Sequence, residues 1–240
     1  MADDNIAPEV NGPEAAARAK KNVDLPVRAA SAVVMLGLAI AAIWLGGNWL
    51  KGFIVLVALA CFVEYVLLVV KATGNIPYRL AGLIAGGVYI GLAAGALLGF
   101  SAQQLLLVLG TVIATDTGAY FSGRAIGGPK IAPRISPSKT WAGLCGGMLA
   151  AAVWLAGGIY VIMSLGDAAS PTSHVLPFAI GGAVLAVAAQ AGDFFESWLK
   201  RKAGAKDSSR LIPGHGGVFD RVDGLLPVAL IAAAAMSFMP

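Results

Sequence analysis

Twelve ionisable side chains fall within the 32 residues from Gly192 to Asp223: Asp193, Glu196, Lys200, Arg201, Lys202, Lys206, Asp207, Arg210, His215, Asp220, Arg221 and Asp223. The chain around them is almost charge-free by comparison. Charge beside hydrocarbon is expensive to hold, so a cluster flanked by membrane-like sequence points to chemistry. Asp193, Glu196 and Ser197 stand at i, i+3 and i+4, which places all three on one face of a helix. Asp220 and Asp223 repeat the three-residue spacing where the last apolar run begins. A helix N-cap would account for one of those acids. It does not account for two acids around Arg221 with a second acid pair upstream. Hard divalent cations take oxygen ligands and bind substrate phosphates while keeping several waters. Carboxylates beside cations therefore read as Mg²⁺ with phosphates: the acids hold the metal and the bases hold the remaining phosphate oxygens.

A second polar stretch, from Asp116 to Gly143, reads D-T-G-A-Y-F-S-G-R-A-I-G-G-P-K-I-A-P-R-I-S-P-S-K-T-W-A-G. Glycine lets backbone N–H groups approach an anion, and Lys or Arg neutralises it. Both stretches have the composition that a phosphate-bearing ligand requires. His215, in P-G-H-G-G, suits contact with a phosphate or a base better than a metal, because Mg²⁺ prefers oxygen. For Lys71, Arg79 and Lys202, membrane topology alone is explanation enough.

These two stretches must be positioned by membrane-spanning elements. The chain of 240 residues is 58% hydrophobic and 12% charged, about half the charge of an ordinary soluble domain. The sequence predicts an all-α, polytopic transmembrane helix bundle. Seven apolar segments, 28–47, 50–71, 79–100, 103–123, 141–164, 175–199 and 222–238, approach the roughly 20 residues a crossing needs, the last only marginally. Residues 1–26 read as a disordered cytoplasmic tail with a short interfacial helix over 14–21, followed by one membrane domain over 27–240. All of the 17 Lys and Arg except Lys51 fall in the tail or in alternate connections. That bias places the N-terminus in the cytoplasm, the C-terminus outside, and both polar stretches at the cytoplasmic face. Thirty-one glycines suit helices that pack closely through small residues. Cys61 and Cys145 lie in apolar runs and have no metal-ligand spacing. The net charge of +4 is a matter of topology, so no nucleic-acid partner is expected.

The residues carry a family resemblance. Ser197-x-x-Lys200-Arg201, then Lys206-Asp207, then Pro213-x-His215-Gly216-Gly217-x-x-Asp220-Arg221-x-Asp223 resembles the signature of phosphatidate cytidylyltransferases (CDP-diacylglycerol synthases) at fixed spacing. Asp116-Thr117-Gly118-Ala119-Tyr120 and Ser136-Pro137-x-Lys139-Thr140-Trp141 are similar to the family's second motif. One departure is Ala142, where the family usually has Glu. The N-terminal half is also shorter than in relatives with up to nine membrane segments. The resemblance covers roughly residues 80–238.

It implies transfer of the cytidylyl group of CTP to phosphatidic acid at the cytoplasmic face of a bacterial inner membrane, with Mg²⁺ and K⁺ as a second ion, and it is compatible with a homodimer. On that reading Asp193 and Asp220 are metal ligands, and Asp207 and Asp223 orient the shell or the cations. Lys200, Arg201, Lys206 and Arg221 hold the triphosphate and the lipid phosphate. Ser197 is a phosphate or metal-shell ligand, and His215 belongs to the same site. Asp116, Ser136, Lys139 and Thr140 bind the nucleotide from the earlier loop. Three other readings compete. A transporter could use Asp116, Asp193 and Glu64 as an ion path, but no convincing repeat relates the halves. A CDP-alcohol phosphotransferase would need further acids downstream of Asp223-Gly224, and they are missing. A non-catalytic scaffold would not need this spacing. For Glu64, pairing with Lys71 or Arg79 and lining a lipid cavity stand as open alternatives.

Overall fold

A computed structural model describes residues 13–166 and 171–238. Eight α-helices account for most of it: α1 (Pro13–Leu45), α2 (Gly47–Ala72), α3 (Ile76–Gly99), α4 (Ala102–Ala125), α5 (Trp141–Leu165), α6 (Val175–Lys202), α7 (Phe219–Val222) and α8 (Leu225–Ser237). The expected bundle is present, and six helices, α1 to α6, are long and apolar enough to cross a membrane. The seventh expected span is shorter than read: α8 has 13 residues, about 20 Å of helix against a hydrocarbon core of roughly 30 Å. The interfacial helix expected over 14–21 falls inside α1. The rest of the expected tail, residues 1–12, lies outside the described residues.

Local chemistry sets the helix ends. Gly46 and Gly47, with φ of 60° and 48°, break α1 from α2 in the left-handed region that favours glycine. Asn75 caps α3 by accepting the Tyr78 N–H at 3.3 Å. Ser101 and Gln104 form a reciprocal capping box at the start of α4. Thr140 caps α5 through its hydroxyl, which accepts the Gly143 N–H at 3.0 Å.

Between α4 and α5 the expected irregular loop is partly a strand pair. β1 (Lys130–Ala132) and β2 (Ser136–Thr140) form an antiparallel hairpin with Lys130 opposite Thr140 and Ala132 opposite Ser136. This hairpin is an addition to an otherwise helical fold. It projects Lys139 from β2 toward α6.

The helices pack through small residues, as glycine content led us to expect. A Cβ built on Gly118 of α4 would lie 2.6 Å from the Gly146 carbonyl oxygen of α5. One on Gly147 would lie 2.9 Å from the Thr115 carbonyl oxygen. Such backbone approach is how helices associate where lipid removes the hydrophobic drive. The outward faces of the spans remain apolar and unburied, with Leu36, Leu56, Ile84, Leu92, Ile113 and Leu149 all exposed. Hydrocarbon is the environment that accepts such faces.

Because the Gly118 contact is with backbone, it cannot relax by side-chain rotation. Gly118→Ala is expected to lower stability by about 1–3 kcal/mol, read as a lower unfolding midpoint in detergent; an unchanged midpoint would mean that the α4–α5 spacing is looser than drawn.

Candidate active site

The two polar stretches meet where α4, α5, α6 and α8 come together. The Lys139 ammonium pairs with the Asp193 carboxylate and lies 4.7 Å over the Phe194 ring. The Arg201 Nε–H reaches the Ile135 carbonyl at 3.5 Å, so the end of α6 also touches the turn of the hairpin. The C-terminal end of α6 therefore carries one half of the site and the β hairpin the other.

Four acids from α6 and the segment after it converge. The helical spacing read in the sequence holds: Ser197 donates to Asp193 Oδ1 at 3.3 Å, one turn away. Glu196 is buried on the same helix. Lys200, a further turn along, lies 2.6 Å from Glu196 Oε2 and 2.8 Å from Asp220 Oδ1. Asp220 sits in the short α7, where Oδ2 accepts the Ser208 N–H at 2.9 Å, the Ser208 hydroxyl at 2.9 Å and the Gly217 N–H at 2.8 Å. Asp223 follows α7, and its Oδ1 accepts the Gly224 N–H at 2.8 Å.

The electrostatics of the two α7 acids diverge. Burial acts to raise Asp220, but contacts with Glu196 and Lys200 and the N–H groups of Gly217 and Ser208 outweigh it and hold the carboxyl below the usual carboxylate range. Asp223 goes the other way. Burial first, and then the charge of Asp193, push its carboxyl up to about 7, against the pull of the Gly224 N–H and Lys139. Asp116 adds to the same repulsion from α4. Negative charge is in excess on this side of the site, and a cation would relieve it.

The acids whose oxygens converge include Asp193 of the expected pair but not Asp220. Both Asp220 oxygens are committed, one to Lys200 and one to the loop. Asp193, Glu196 and Asp223 instead each offer one ligand oxygen, all within 4.8 Å of one another. Glu196 Oε1 is buried and accepts no hydrogen bond from a described residue. Three converging carboxylate oxygens with one left unsatisfied fit a hard divalent cation. Glu196 was visible in the i, i+3 spacing but was absent from the expected ligands.

The other expected site residues scatter in role. Thr140 is buried, and its hydroxyl caps α5. Ser136 lies at the start of β2, half-buried. His215 is held by Ser31 of α1, with Nδ1 2.8 Å from the Ser31 hydroxyl. Arg221 donates through Nε to the His215 carbonyl at 3.1 Å, which folds the Pro213–Gly217 turn back onto α7. Lys206 and Asp207 are exposed on the loop and form no ion pair with a described residue. Ala142 falls in the first turn of α5, which carries no acid.

Beside the acids opens an apolar groove of about 870 Å³ between α2, α3, α6 and α8. Tyr89, Gly192, Phe195 and Pro227 line the end nearest the site, and Tyr78 and Lys202 line another part. Gly192 is tight as well as central: a Cβ there would lie 2.8 Å from the Pro227 side chain.

Fold and site together define a polytopic membrane protein with a carboxylate and ammonium cluster at one end of its helices, opening beside an apolar groove. Residues 88–239 match the Cytidylyltransferase family. The chain is 37% identical to the phosphatidate cytidylyltransferase of Brucella suis biovar 1, over 90% of this chain and 93% of that one. It is 33% identical to the phosphatidate cytidylyltransferase of Rickettsia felis, over 91% and 94%. Against the protein of that name from Haemophilus influenzae, identity is 45% over half of this chain and 41% of the other. The chain belongs to the cytidylyltransferase family.

The Lys200 ammonium is shared by two carboxylates whose side chains are 2% and 8% exposed. Lys200→Met leaves both acids without their counter-charge and is expected to lower stability by about 3–5 kcal/mol, measured by unfolding in detergent; a change under about 1 kcal/mol would mean water already screens the pair.

Proposed function

We propose that this chain transfers the cytidylyl group of CTP to phosphatidate, giving CDP-diacylglycerol and pyrophosphate. One observation carries the reading: in a chain of the cytidylyltransferase family, Lys139 of the first polar loop and the acids of the second meet beside a groove that can take acyl chains.

The chemistry asks little covalent work of the protein. A phosphate oxygen of phosphatidate attacks the α-phosphorus of CTP, the bond from that phosphorus to the bridging oxygen of the β-phosphate breaks, and pyrophosphate leaves with that electron pair. No Ser or Cys nucleophile is needed. Both reactants are anions, so the barrier is dominated by repulsion and by loss of alignment, and the residues act by positioning and charge neutralisation. Lys139, beside Asp193, and Lys200, beside Glu196 and Asp220, supply positive charge to the reacting phosphates. Arg201, Lys206 and Arg221 draw the triphosphate in from the water side. Asp193, Glu196 and Asp223 would hold a divalent cation, which when bound supplies a positive charge to the phosphate oxygens. The apolar groove receives the diacylglycerol part sideways from the bilayer, with Gly192 and Tyr89 nearest the acids.

The finer parts of this proposal are Mg²⁺ as the divalent ion with K⁺ as a second, the cytoplasmic face of a bacterial inner membrane as the place of reaction, and a homodimer as the assembly. The Lys and Arg distribution supports the sidedness, and the family resemblance supports the rest.

Purified full-length protein given radiolabelled CTP and phosphatidate should form labelled lipid with Mg²⁺ and none after chelation. Asp193→Asn should lower the rate by at least about 100-fold; labelled lipid formed equally without metal or with that variant would remove the proposed ligand set. Lys139→Ala should raise the KM for one phosphate-bearing substrate about tenfold; two unchanged KM values would make the β hairpin structural.

A further inference from the structure

Glu64 lies in the membrane-spanning helix α2 and is 3% exposed. It also lies outside the family match, which begins at residue 88. A carboxyl group inside a membrane helix is expensive and is retained for a reason. Arg79, one of the two partners named from the sequence, donates instead to the carbonyls of Thr73 and Val70 at the end of α2. Among the described residues, the hydrogen bonds of Glu64 all go to the loop between α6 and α7 and to α7 itself. The Ser208 hydroxyl donates to Oε2 at 2.8 Å and the Ser209 hydroxyl to Oε1 at 2.6 Å. The Val218 N–H donates to Oε1 at 3.0 Å and the Phe219 N–H to Oε2 at 2.8 Å.

This arrangement supplies what the loop lacks. The residue before α7, Val218, has no side chain that can cap, so the first N–H groups of the turn carrying Asp220 and Arg221 need an acceptor from elsewhere. Glu64 provides it from another helix. The same carboxyl reaches the acid cluster through one atom: Ser208 Oγ lies 2.8 Å from Glu64 and 2.9 Å from Asp220 Oδ2. Asp220 in turn holds Lys200, and Lys200 holds Glu196. Gly217 leaves room for this junction, because a Cβ there would collide with Ser208 Oγ and the Glu64 carboxyl.

We infer that Glu64 is a positioning residue for cytidylyl transfer. It anchors the loop over 203–218 and α7 to α2, and through Ser208 it sets Asp220 and Lys200 against the acids of α6. It touches no substrate. Its catalytic consequence rests on the reaction proposed above, whereas the anchoring stands on geometry alone.

The test compares full-length wild type with Glu64→Gln, Glu64→Asp and Ser208→Ala in detergent. Turnover of CTP with phosphatidate is measured, and backbone hydrogen exchange is followed by mass spectrometry. In Glu64→Gln, kcat is expected to fall about 10- to 100-fold, with both KM values within about twofold of wild type. Exchange should quicken over 208–220 and stay unchanged in α4 and α5. Glu64→Asp should recover part of kcat, and Ser208→Ala should lose kcat while Val218 and Phe219 stay protected. A wild-type kcat in Glu64→Gln overturns the inference. So does a loss confined to the KM for phosphatidate, which would make Glu64 a lining residue of the lipid groove. If Glu64→Gln does not fold, Ser208→Ala decides: an unchanged kcat overturns the link to Asp220. A wild type that consumes no CTP overturns the reaction and not the anchor, whereas unchanged loop exchange in Glu64→Gln overturns the anchor.

Discussion

Lys200 lies between two carboxylates that the fold has taken out of water, Glu196 at 2.6 Å and Asp220 at 2.8 Å. Acids in such a place repel one another, and desolvation favours their neutral forms. A single ammonium between them changes the balance. It joins the last turns of α6 to α7, and so makes one site from two segments that are separated by the loop over 203–218. The direction of the Asp220 shift records the result, because that carboxyl stays in the charged form despite its burial. Asp223, three residues on, forms no ion pair among the described residues, and burial and the charge of Asp193 push its carboxyl up to about 7. The site is thus divided into a half around Asp220, neutralised by Lys200, and a half around Asp193 and Asp223, where Lys139 pairs with Asp193 and toward which Glu196 offers its second oxygen.

That division suits a reaction between anions. The second half is where a cation would gain most from binding, and the orphaned Glu196 oxygen lies there. Lys139, contributed by the β hairpin, pairs with Asp193 on the same side. The apolar groove opens beside this half, through Gly192, so a lipid phosphate and a nucleotide phosphate can be brought together at the boundary between water and hydrocarbon. The scaffold tolerates all this polarity because its helices satisfy their own backbone bonds and pack through glycines.

Much of this was legible in the order of residues, and the misses have particular causes. Helices announced themselves by apolar length, and the polar stretches by their charge against that background. The i, i+3, i+4 rule placed Asp193, Glu196 and Ser197 on one face, and the hydrogen bond from Ser197 to Asp193 agrees with it. The same rule could not tell which oxygens would be free. The family resemblance offered Asp220 as a ligand, and only the folded chain shows a turn of loop wrapping it with two N–H groups and a hydroxyl. Thr140 looked like part of a nucleotide site, but it directly precedes a helix and caps it. The short β hairpin went unread because Gly, Pro and Ser dominate that stretch and only two or three residues on each side pair.

Composition and charge bias were enough to establish a helical membrane protein with two charged loops on one side, since transfer free energies act residue by residue and need no partners. Motif spacing was enough to bring the family into view. Which carboxylates converge, which ones are already satisfied, and which groups Glu64 bonds were settled by contacts between segments far apart in the chain. Glu64 shows why: its bonds join α2 to residues 144 to 155 positions away. A hydrogen bond depends on distance and direction between two groups, and neither is a property of one residue or of its neighbours in sequence.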